Sequence, residues 1–287
     1  MKFGVVYAYW SKDWEGDYTE TIKRAKRCGF DVLEIFTPRL LTLSTEELAR
    51  LKSTAEENAV ELAFLVGLGR EHDLSSDDEN VRREGIAYVK RILDVIRYLG
   101  GRCFSGINYC AWSNFEGVID KPKRRANAVG SIKELAKTAE DCNISYNLEI
   151  TNRFEQFLLN TSAEAVDFAD EVGSPNVNIL LDTFHMNIEE DSMEDAIIHA
   201  GGRLGHFHVG TNNRRPPRPG LIDFSKVARG LKAIGYDEII TLEPLVRTGG
   251  TVATDSKVWR DMTDGADDRQ MDETAMQGLS FIKELFA

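Results

Sequence analysis

The feature that most constrains the fold is a regular alternation of short apolar runs with longer segments of helical periodicity. Eight apolar runs begin at intervals of about 28 to 42 residues, and each is short enough to be a buried strand. They span residues 3–9, 32–36, 61–67, 103–108, 145–150, 177–182, 205–210 and 239–244. Because helix-length connections separate them, the runs predict βα units in a parallel sheet.

The segments between the runs carry apolar residues at helical spacing, and some carry signals for helix ends. Ser44 followed by Glu47 forms a capping-box pattern, and a Gly–Gly pair at 100–101 is typical of a helix end. The clearest helical segments are 44–59, 77–101, 123–143, 162–173, 192–202, 223–235 and 272–286. Eight strands that alternate with eight helices predict a (β/α)₈ TIM barrel, an α/β fold, with residues 1–287 forming a single domain.

A doubly wound open sheet is the main alternative architecture. Such a sheet usually carries a glycine-rich phosphate turn after its first strand. The corresponding segment here is YAYWSKDWEGD (7–17), which contains neither GxGxxG nor a P-loop. The barrel is therefore the favoured fold.

The composition argues against several functional classes. The formal net charge is −12, and an acidic surface disfavours binding of nucleic acids. No run of 18 apolar residues and no signal-peptide pattern occurs, so we expect a cytoplasmic protein that does not enter the membrane. No CxxC pair occurs among the cysteines, which we expect to be reduced and buried; they are Cys28, Cys103, Cys110 and Cys142.

Ionisable side chains lie near the carboxyl ends of the last four predicted strands. In chain order they are Glu149, Asp182, His206 with His208, and Glu243. The active site of such a barrel forms where the carboxyl ends of the strands meet. A carboxylate inside an apolar strand is costly unless it is paired or bound to a metal. Four such positions on consecutive strands are hard to explain as helix caps or packing, and they predict a common site.

Two glutamates, one aspartate and one histidine form an oxygen-rich set that suits Mn²⁺, Co²⁺ or Mg²⁺ better than a structural zinc. Strand alternation places His206 and His208 on one face, and His208 lies nearer the rim. We therefore predict His208 as the ligand and His206 as a core or supporting group. A divalent ion between two opposed glutamates suits removal and return of a proton next to a carbonyl, with no organic cofactor.

Further polar and aromatic residues follow the same strand ends. Polar groups that could hold the hydroxyls of a polyol are Arg153, Glu155, His185, Asn212, Asn213, Arg214 and Arg215. Aromatic residues that could pack on the apolar edge of a sugar are Tyr7, Trp14 and Trp112. Each alone could be an ordinary loop residue, and spacing does not separate Arg214 from Arg215.

Four segments of the chain resemble the ketose 3-epimerases, the D-tagatose and D-psicose (D-allulose) 3-epimerase family. They are NLEITNRFE (147–155), LLDTFHMNIEED (180–191), GHFHVGTNNRR (205–215) and LEPLVRTGGTV (242–252). The resemblance runs nearly from end to end. The wider group of xylose-isomerase-like barrels also includes other sugar isomerases and endonuclease IV.

The resemblance implies a Mn²⁺ or Co²⁺ ion held by Glu149, Asp182, His208 and Glu243. It implies that the two glutamates also exchange the C3 proton of a ketose through a cis-enediolate. The residues implied to contact the O1 to O3 region are Glu155, His185 and Arg214. The substrate pairs that it implies are D-fructose/D-psicose, D-tagatose/D-sorbose and L-ribulose/L-xylulose, and the implied assembly is a homodimer or homotetramer.

The chain departs from the family pattern at three places near the rim. Thr211 stands where many members have Glu, Leu245 stands where many have an aromatic residue, and the 214–220 loop is rich in proline. These differences leave the preferred ketose open.

Three other functions compete with epimerisation. An aldose–ketose isomerase would use the same metal and the same acid–base groups. An endonuclease IV-like nuclease would need more metal-binding histidines than the five in this chain. A non-catalytic sugar-binding protein would not need two opposed glutamates.

Overall fold

The computed structural model describes residues 1–286, in which eight parallel strands close into a barrel. The strands are β1 (Lys2–Val6), β2 (Val32–Phe36), β3 (Glu61–Leu68), β4 (Cys103–Ala111), β5 (Ser145–Glu149), β6 (Val177–Asp182), β7 (Leu204–Val209) and β8 (Ile239–Leu242). Each strand pairs with the next one along the chain, and β8 pairs with β1 to close the barrel. The predicted (β/α)₈ barrel is confirmed.

The strands are connected by helices, and three short helical turns lie at Tyr7–Tyr9, Arg70–His72 and Gly201–Arg203. The α-helices are α1 (Tyr18–Arg27), α2 (Thr37–Leu40), α3 (Thr45–Glu57), α4 (Glu79–Leu99), α5 (Lys121–Cys142), α6 (Ser162–Val172), α7 (Thr183–Glu189), α8 (Met193–Ala200), α9 (Phe224–Ala233), α10 (Thr251–Ser256) and α11 (Asp268–Glu284). The capping box of Ser44 and Glu47 opens α3, and Gly100 ends α4 in a left-handed conformation, as predicted.

The α1 helix was not among the clearest segments of the sequence. It carries few apolar residues, and its buried side chains are Tyr18, Ile22 and Ala25. Asp17 opens the helix by accepting a hydrogen bond from the backbone N–H of Thr19. The apolar stripe of α1 is too sparse to stand out, but its spacing still turns one face toward the barrel.

Two strands, β1 and β8, end two or more residues earlier than their apolar runs suggest. The first run continues to Tyr9, but β1 stops at Val6 and the chain turns at Tyr7–Tyr9. The last strand stops at Leu242, so Glu243 follows β8 directly. Strands of a parallel barrel are buried on both faces, and the apolar pattern extends past them because residues at the rim are buried as well. The carboxyl end of the barrel therefore consists of strand ends and the turns that follow them.

The cysteines are unpaired, as expected from the sequence; three are buried and Cys142 is partly exposed. Among the described residues, no helix has both the length and the apolar character that crossing a membrane requires.

Candidate metal and active site

Four buried side chains converge where the last four strands end. Glu149 closes β5, Asp182 closes β6, His208 lies near the end of β7, and Glu243 follows β8. One nitrogen or oxygen atom from each of the four lies within 4.8 Å of the others. The structure therefore brings together all four residues that the sequence singled out as possible metal ligands.

The donor atoms of this cluster fit a divalent cation. Nδ1 of His208 lies 3.4 Å from Oε2 of Glu243 and 4.0 Å from Oε1 of Glu149. Nδ1 of His208, the ring nitrogen that faces the cluster, has no hydrogen-bond partner, although the side chain is fully buried. Buried polar atoms are normally satisfied, so an unpartnered imidazole nitrogen that faces carboxylates fits the role of a metal ligand. Three carboxylates with one imidazole suit a hard or borderline divalent metal.

Asp182 has a separate role for each of its carboxylate oxygens. Oδ1 accepts a hydrogen bond of 2.9 Å from the backbone N–H of Phe184 and so caps α7. Oδ2 faces the cluster, 3.1 Å from a guanidinium nitrogen of Arg214. A helix cap and a metal ligand are thus compatible, because the cap holds one oxygen and leaves the other free.

Arg214 enters the cluster from a tight turn after β7. Its backbone N–H donates to the carbonyl of Thr211 at 3.0 Å, and its φ of 62° lies in the left-handed region. The guanidinium stacks on the ring of Phe184 at 4.0 Å and donates to Oε2 of Glu243 at 2.6 Å. The neighbouring Arg215 points away, so the structure separates the two arginines that spacing alone left equivalent.

Asn152 orients two polar groups that line the site. Its backbone N–H lies 3.2 Å from Nδ1 of His185, and its side-chain amide lies 2.8 Å from the same nitrogen. The amide also donates to Oε1 of Glu155 at 3.2 Å, while the indole N–H of Trp112 donates to Oε2 at 3.1 Å. Sequence analysis missed Asn152, although its place directly after β5 within TNRFE was the available signal.

The cluster forms one wall of a cavity whose other walls are largely apolar. The polar lining consists of Glu149, Thr151, Glu155, His185, Arg214, Glu243 and Ser256. The apolar lining consists of Trp14, Phe36, Leu65, Val66, Ile107, Trp112 and Leu245. Tyr7 is not part of this lining, because its ring is buried behind the wall, 4.9 Å from the ring of Tyr18 and 6.5 Å from that of Trp14.

Two of the three rim departures reach the cavity, through Leu245 and through Arg214 at the start of the 214–220 loop. Leu245 belongs to the apolar wall. Thr211 holds the turn instead, because its hydroxyl accepts a hydrogen bond of 3.0 Å from the backbone N–H of Arg215. The rest of that loop lies away from the cavity, where Arg215 binds Asp264 and Pro216 and Pro217 approach Gly278 of α11.

The environment pushes the pKa values of the clustered carboxyl groups apart. Burial, reinforced by Glu243, raises the pKa of Glu149 well above its ordinary value. Burial also raises the pKa of Asp182, from 3.8 to about 6. For Glu243 burial acts in the same direction, but His208 and Arg214 outweigh it and hold its pKa far below the usual range. The site thus contains carboxyl groups with opposite tendencies to hold a proton.

Glu34 is a further buried carboxylate next to the cluster, and sequence analysis did not single it out. It lies within β2, is fully buried, and places Oε2 at 2.9 Å from Nε2 of His208. Its run, VLEIF, predicted a buried strand correctly. The lone carboxylate inside that run was the available signal, because a buried carboxylate needs a polar or charged partner.

Comparison with known proteins places this architecture in a family. The family model of the xylose isomerase-like TIM barrel matches residues 22–284. A D-psicose 3-epimerase of Ruminiclostridium cellulolyticum is 41% identical over 284 residues, which cover 99% of this chain and 97% of the relative. An L-ribulose 3-epimerase of Methylomonas sp. is 33% identical over 293 residues, which cover 100% of this chain and 98% of the relative.

A solved structure agrees with the fold at the level of the whole chain. The crystal structure of a D-psicose 3-epimerase with D-tagatose from Clostridium cellulolyticum superposes with a TM-score of 0.98 at 40% identity. The match covers 99% of each chain. On this combined ground of closed barrel, family model and full-length relatives, the chain belongs to the xylose isomerase-like TIM barrel family, among its ketose 3-epimerases.

Proposed function

We propose that this chain is a ketose 3-epimerase, an isomerase that inverts the configuration at C3 of a free ketose with the help of one divalent metal ion. The observation that carries the proposal is the convergence of Glu149 and Glu243 on one buried cluster with Asp182 and His208. Two carboxyl groups beside a metal site permit a proton to leave one face of a carbon and return to the other. The full-length similarity to enzymes named as 3-epimerases supports the same reaction.

The residues that would hold the ion are Glu149, Asp182, His208 and Glu243. When bound, a divalent ion polarises the substrate carbonyl and stabilises the negative charge that develops after proton loss. Mn²⁺ or Co²⁺ suits this mixed set of oxygens and one imidazole nitrogen, and Mg²⁺ is compatible with it. No organic cofactor is needed, because the reaction moves only a proton.

The two glutamates perform the proton transfer. One of them removes the proton from C3, and the other returns a proton to the opposite face, so the configuration inverts. The reverse reaction exchanges the two roles. Because Glu149 and Glu243 are buried, their carboxyl groups are largely shielded from proton exchange with bulk water.

Three polar side chains hold the reacting end of the ketose. Glu155, His185 and Arg214 lie next to the cluster and line the same cavity, which fits the contacts to O1, O2 and O3 implied by the family. Trp112 and its neighbours on the apolar wall face the rest of the sugar. Tyr7 contributes indirectly, because its ring supports Trp14 from behind.

The identity of the ketose is proposed from the relatives. The relative named D-psicose 3-epimerase is 41% identical to this chain, and the one named L-ribulose 3-epimerase is 33% identical. D-psicose and D-fructose are therefore the first pair to test, followed by D-tagatose and L-ribulose. We further propose that residues 1–287 act as one domain and that the protein assembles as a homodimer or homotetramer. A cytoplasmic location stays a prediction of the sequence.

Isotope exchange tests the reaction directly. The protein is stripped with a chelator, reloaded with Mn²⁺ and incubated with D-fructose in heavy water. We expect deuterium at C3 of both D-fructose and the D-psicose that forms, with no turnover in the stripped sample. Deuterium at C1 or C2 together with an aldose product would instead identify an aldose–ketose isomerase. Turnover that survives chelation would reject the metal-dependent mechanism.

A further inference from the structure

The middle of the barrel contains a carboxylate that the proposed reaction does not use. Glu34 is 0% exposed, and it lies on β2, whereas the four clustered groups come from β5 to β8. Taking a carboxylate out of water is costly unless a partner compensates it. No lysine or arginine is paired with Glu34 among the described residues. Its partner must therefore be sought among the buried polar groups around it.

Two histidines face Glu34 among the described residues, and His208 is the nearer one. Nε2 of His208 is 2.9 Å from Oε2 of Glu34, whereas Nδ1 of His206 is 3.7 Å from Oε1. His206 is already engaged on both sides: Nδ1 lies 2.8 Å from the hydroxyl of Ser105, and Nε2 lies 2.8 Å from that of Thr241. Of the two histidines, His208 is therefore the one available to Glu34.

His208 stands between two sets of carboxylates. Its Nε2 faces Glu34, and its Nδ1 faces Glu243 at 3.4 Å and Glu149 at 4.0 Å. A neutral imidazole carries its proton on one nitrogen and offers a lone pair on the other. Because only the nitrogen without a proton can bind a cation, whatever accepts the proton of one nitrogen decides which nitrogen is left for the metal.

We propose that Glu34 is a positioning residue that accepts the Nε2 proton of His208, so that the Nδ1 lone pair points at the metal cluster and the ring cannot turn away. The proposal deepens the proposed function and rests on the metal site described there. A carboxylate behind a metal-bound histidine orients the ring and raises its basicity, and its loss typically lowers metal affinity by about 10 to 100-fold. Glu34 does not line the cavity, so its effect would pass through His208.

Metal affinity tests the proposal without relying on turnover. Chelator-stripped wild-type protein and the Glu34→Gln variant are titrated with Mn²⁺ by calorimetry, after circular dichroism has confirmed that both are folded. We expect the variant to bind Mn²⁺ about 10 to 100-fold more weakly. The matched control is Ser105→Ala, which removes a hydroxyl from the same buried layer but contacts His206 rather than His208. Its Mn²⁺ affinity should stay within a factor of about two.

Nuclear magnetic resonance provides a second readout that needs no variant. In wild-type protein labelled with ¹⁵N-histidine and loaded with diamagnetic Mg²⁺, the proton of His208 should reside on Nε2. A proton on Nδ1 would overturn the proposal, and so would equal Mn²⁺ affinity in the wild-type and Glu34→Gln proteins. If wild-type protein fails to bind any divalent ion, the metal site itself is rejected. If wild-type binds Mn²⁺ and Glu34→Gln binds it equally, only the role of Glu34 is rejected.

Discussion

The two ends of the barrel hold their charged side chains in opposite ways. At the amino end, Lys2 pairs with Glu61 and the terminal ammonium of Met1 pairs with Asp237, and members of both pairs remain in contact with water. At the carboxyl end, Glu149 and its clustered neighbours are buried, and Arg214 is the guanidinium that faces them. The same backbone architecture therefore supports solvated pairs at one end and buried charges at the other.

This difference indicates which end of the barrel carries the function. Exposed ion pairs change the free energy of unfolding only slightly, because water solvates each partner when the pair opens. Buried carboxylates that outnumber their partners destabilise a fold unless something else compensates them. Such an arrangement persists where activity requires it, so the costly end of the barrel is the functional one.

The largest effect that tests this contrast comes from the two glutamates of the carboxyl end. Replacing either with its neutral isostere, as in Glu149→Gln or Glu243→Gln, should lower kcat by about 10² to 10⁴-fold, because one proton-transfer group is lost. The measurement is the rate of D-psicose formation from D-fructose at saturating Mn²⁺. Glu61→Gln at the amino end is the matched control and should retain the wild-type rate. A glutamine variant of either clustered residue with wild-type kcat would contradict the proposed roles.

A smaller effect concerns the stability of the metal-free protein. Burial raises the pKa of Asp182 from 3.8 to about 6. Near neutral pH, ionising this group therefore costs more free energy in the native state than in the unfolded chain. A raised acid pKa contributes stability at low pH and loses it as the pH rises through the folded value. The Asp182→Asn variant should therefore be more stable than wild type above pH 7, by about 3 kcal/mol.

Urea denaturation in the presence of a chelator measures this gain. It should shrink steadily as the pH falls from 6 toward 4, where Asp182 of the wild type is protonated in the native state. The same substitution should abolish the stabilisation by Mn²⁺ that we expect for the wild type. A gain independent of pH would mean that burial of the charge is not its cause, and a loss of stability would mean that the bond to Arg214 outweighs it.

The eight strands and most of the buried cluster could be predicted from the sequence. The eight strands were predictable because both faces of a barrel strand are buried and leave a continuous apolar run. The cluster was predictable because strands that run parallel all end at one side, so Glu149, Asp182 and His208 had to be neighbours. These inferences need only the order of elements along the chain.

What the sequence left open depends on contacts across the barrel and on turn geometry. Glu34 reaches His208 across the interior from a strand three places away around the barrel, a distance that no local pattern encodes. Arg214 differs from Arg215 only because the turn at Thr211 places it in a left-handed conformation. The sequence places Tyr7 at the end of a strand, but β1 stops at Val6, and the ring of Tyr7 is buried behind Trp14.

The smallest expected effect lies at the amino end. Lys2→Ala removes the partner of Glu61 while leaving that carboxylate in water, so the free energy of unfolding should fall by less than about 1 kcal/mol. The loss should diminish further as the salt concentration rises, because mobile ions screen exposed charges. Both kcat and the affinity for Mn²⁺ should equal those of the wild type. If Lys2→Ala instead lowered stability by several kcal/mol or weakened Mn²⁺ binding, the amino end would be coupled to the cluster, and the division of the barrel into a tolerant end and a costly end would fail.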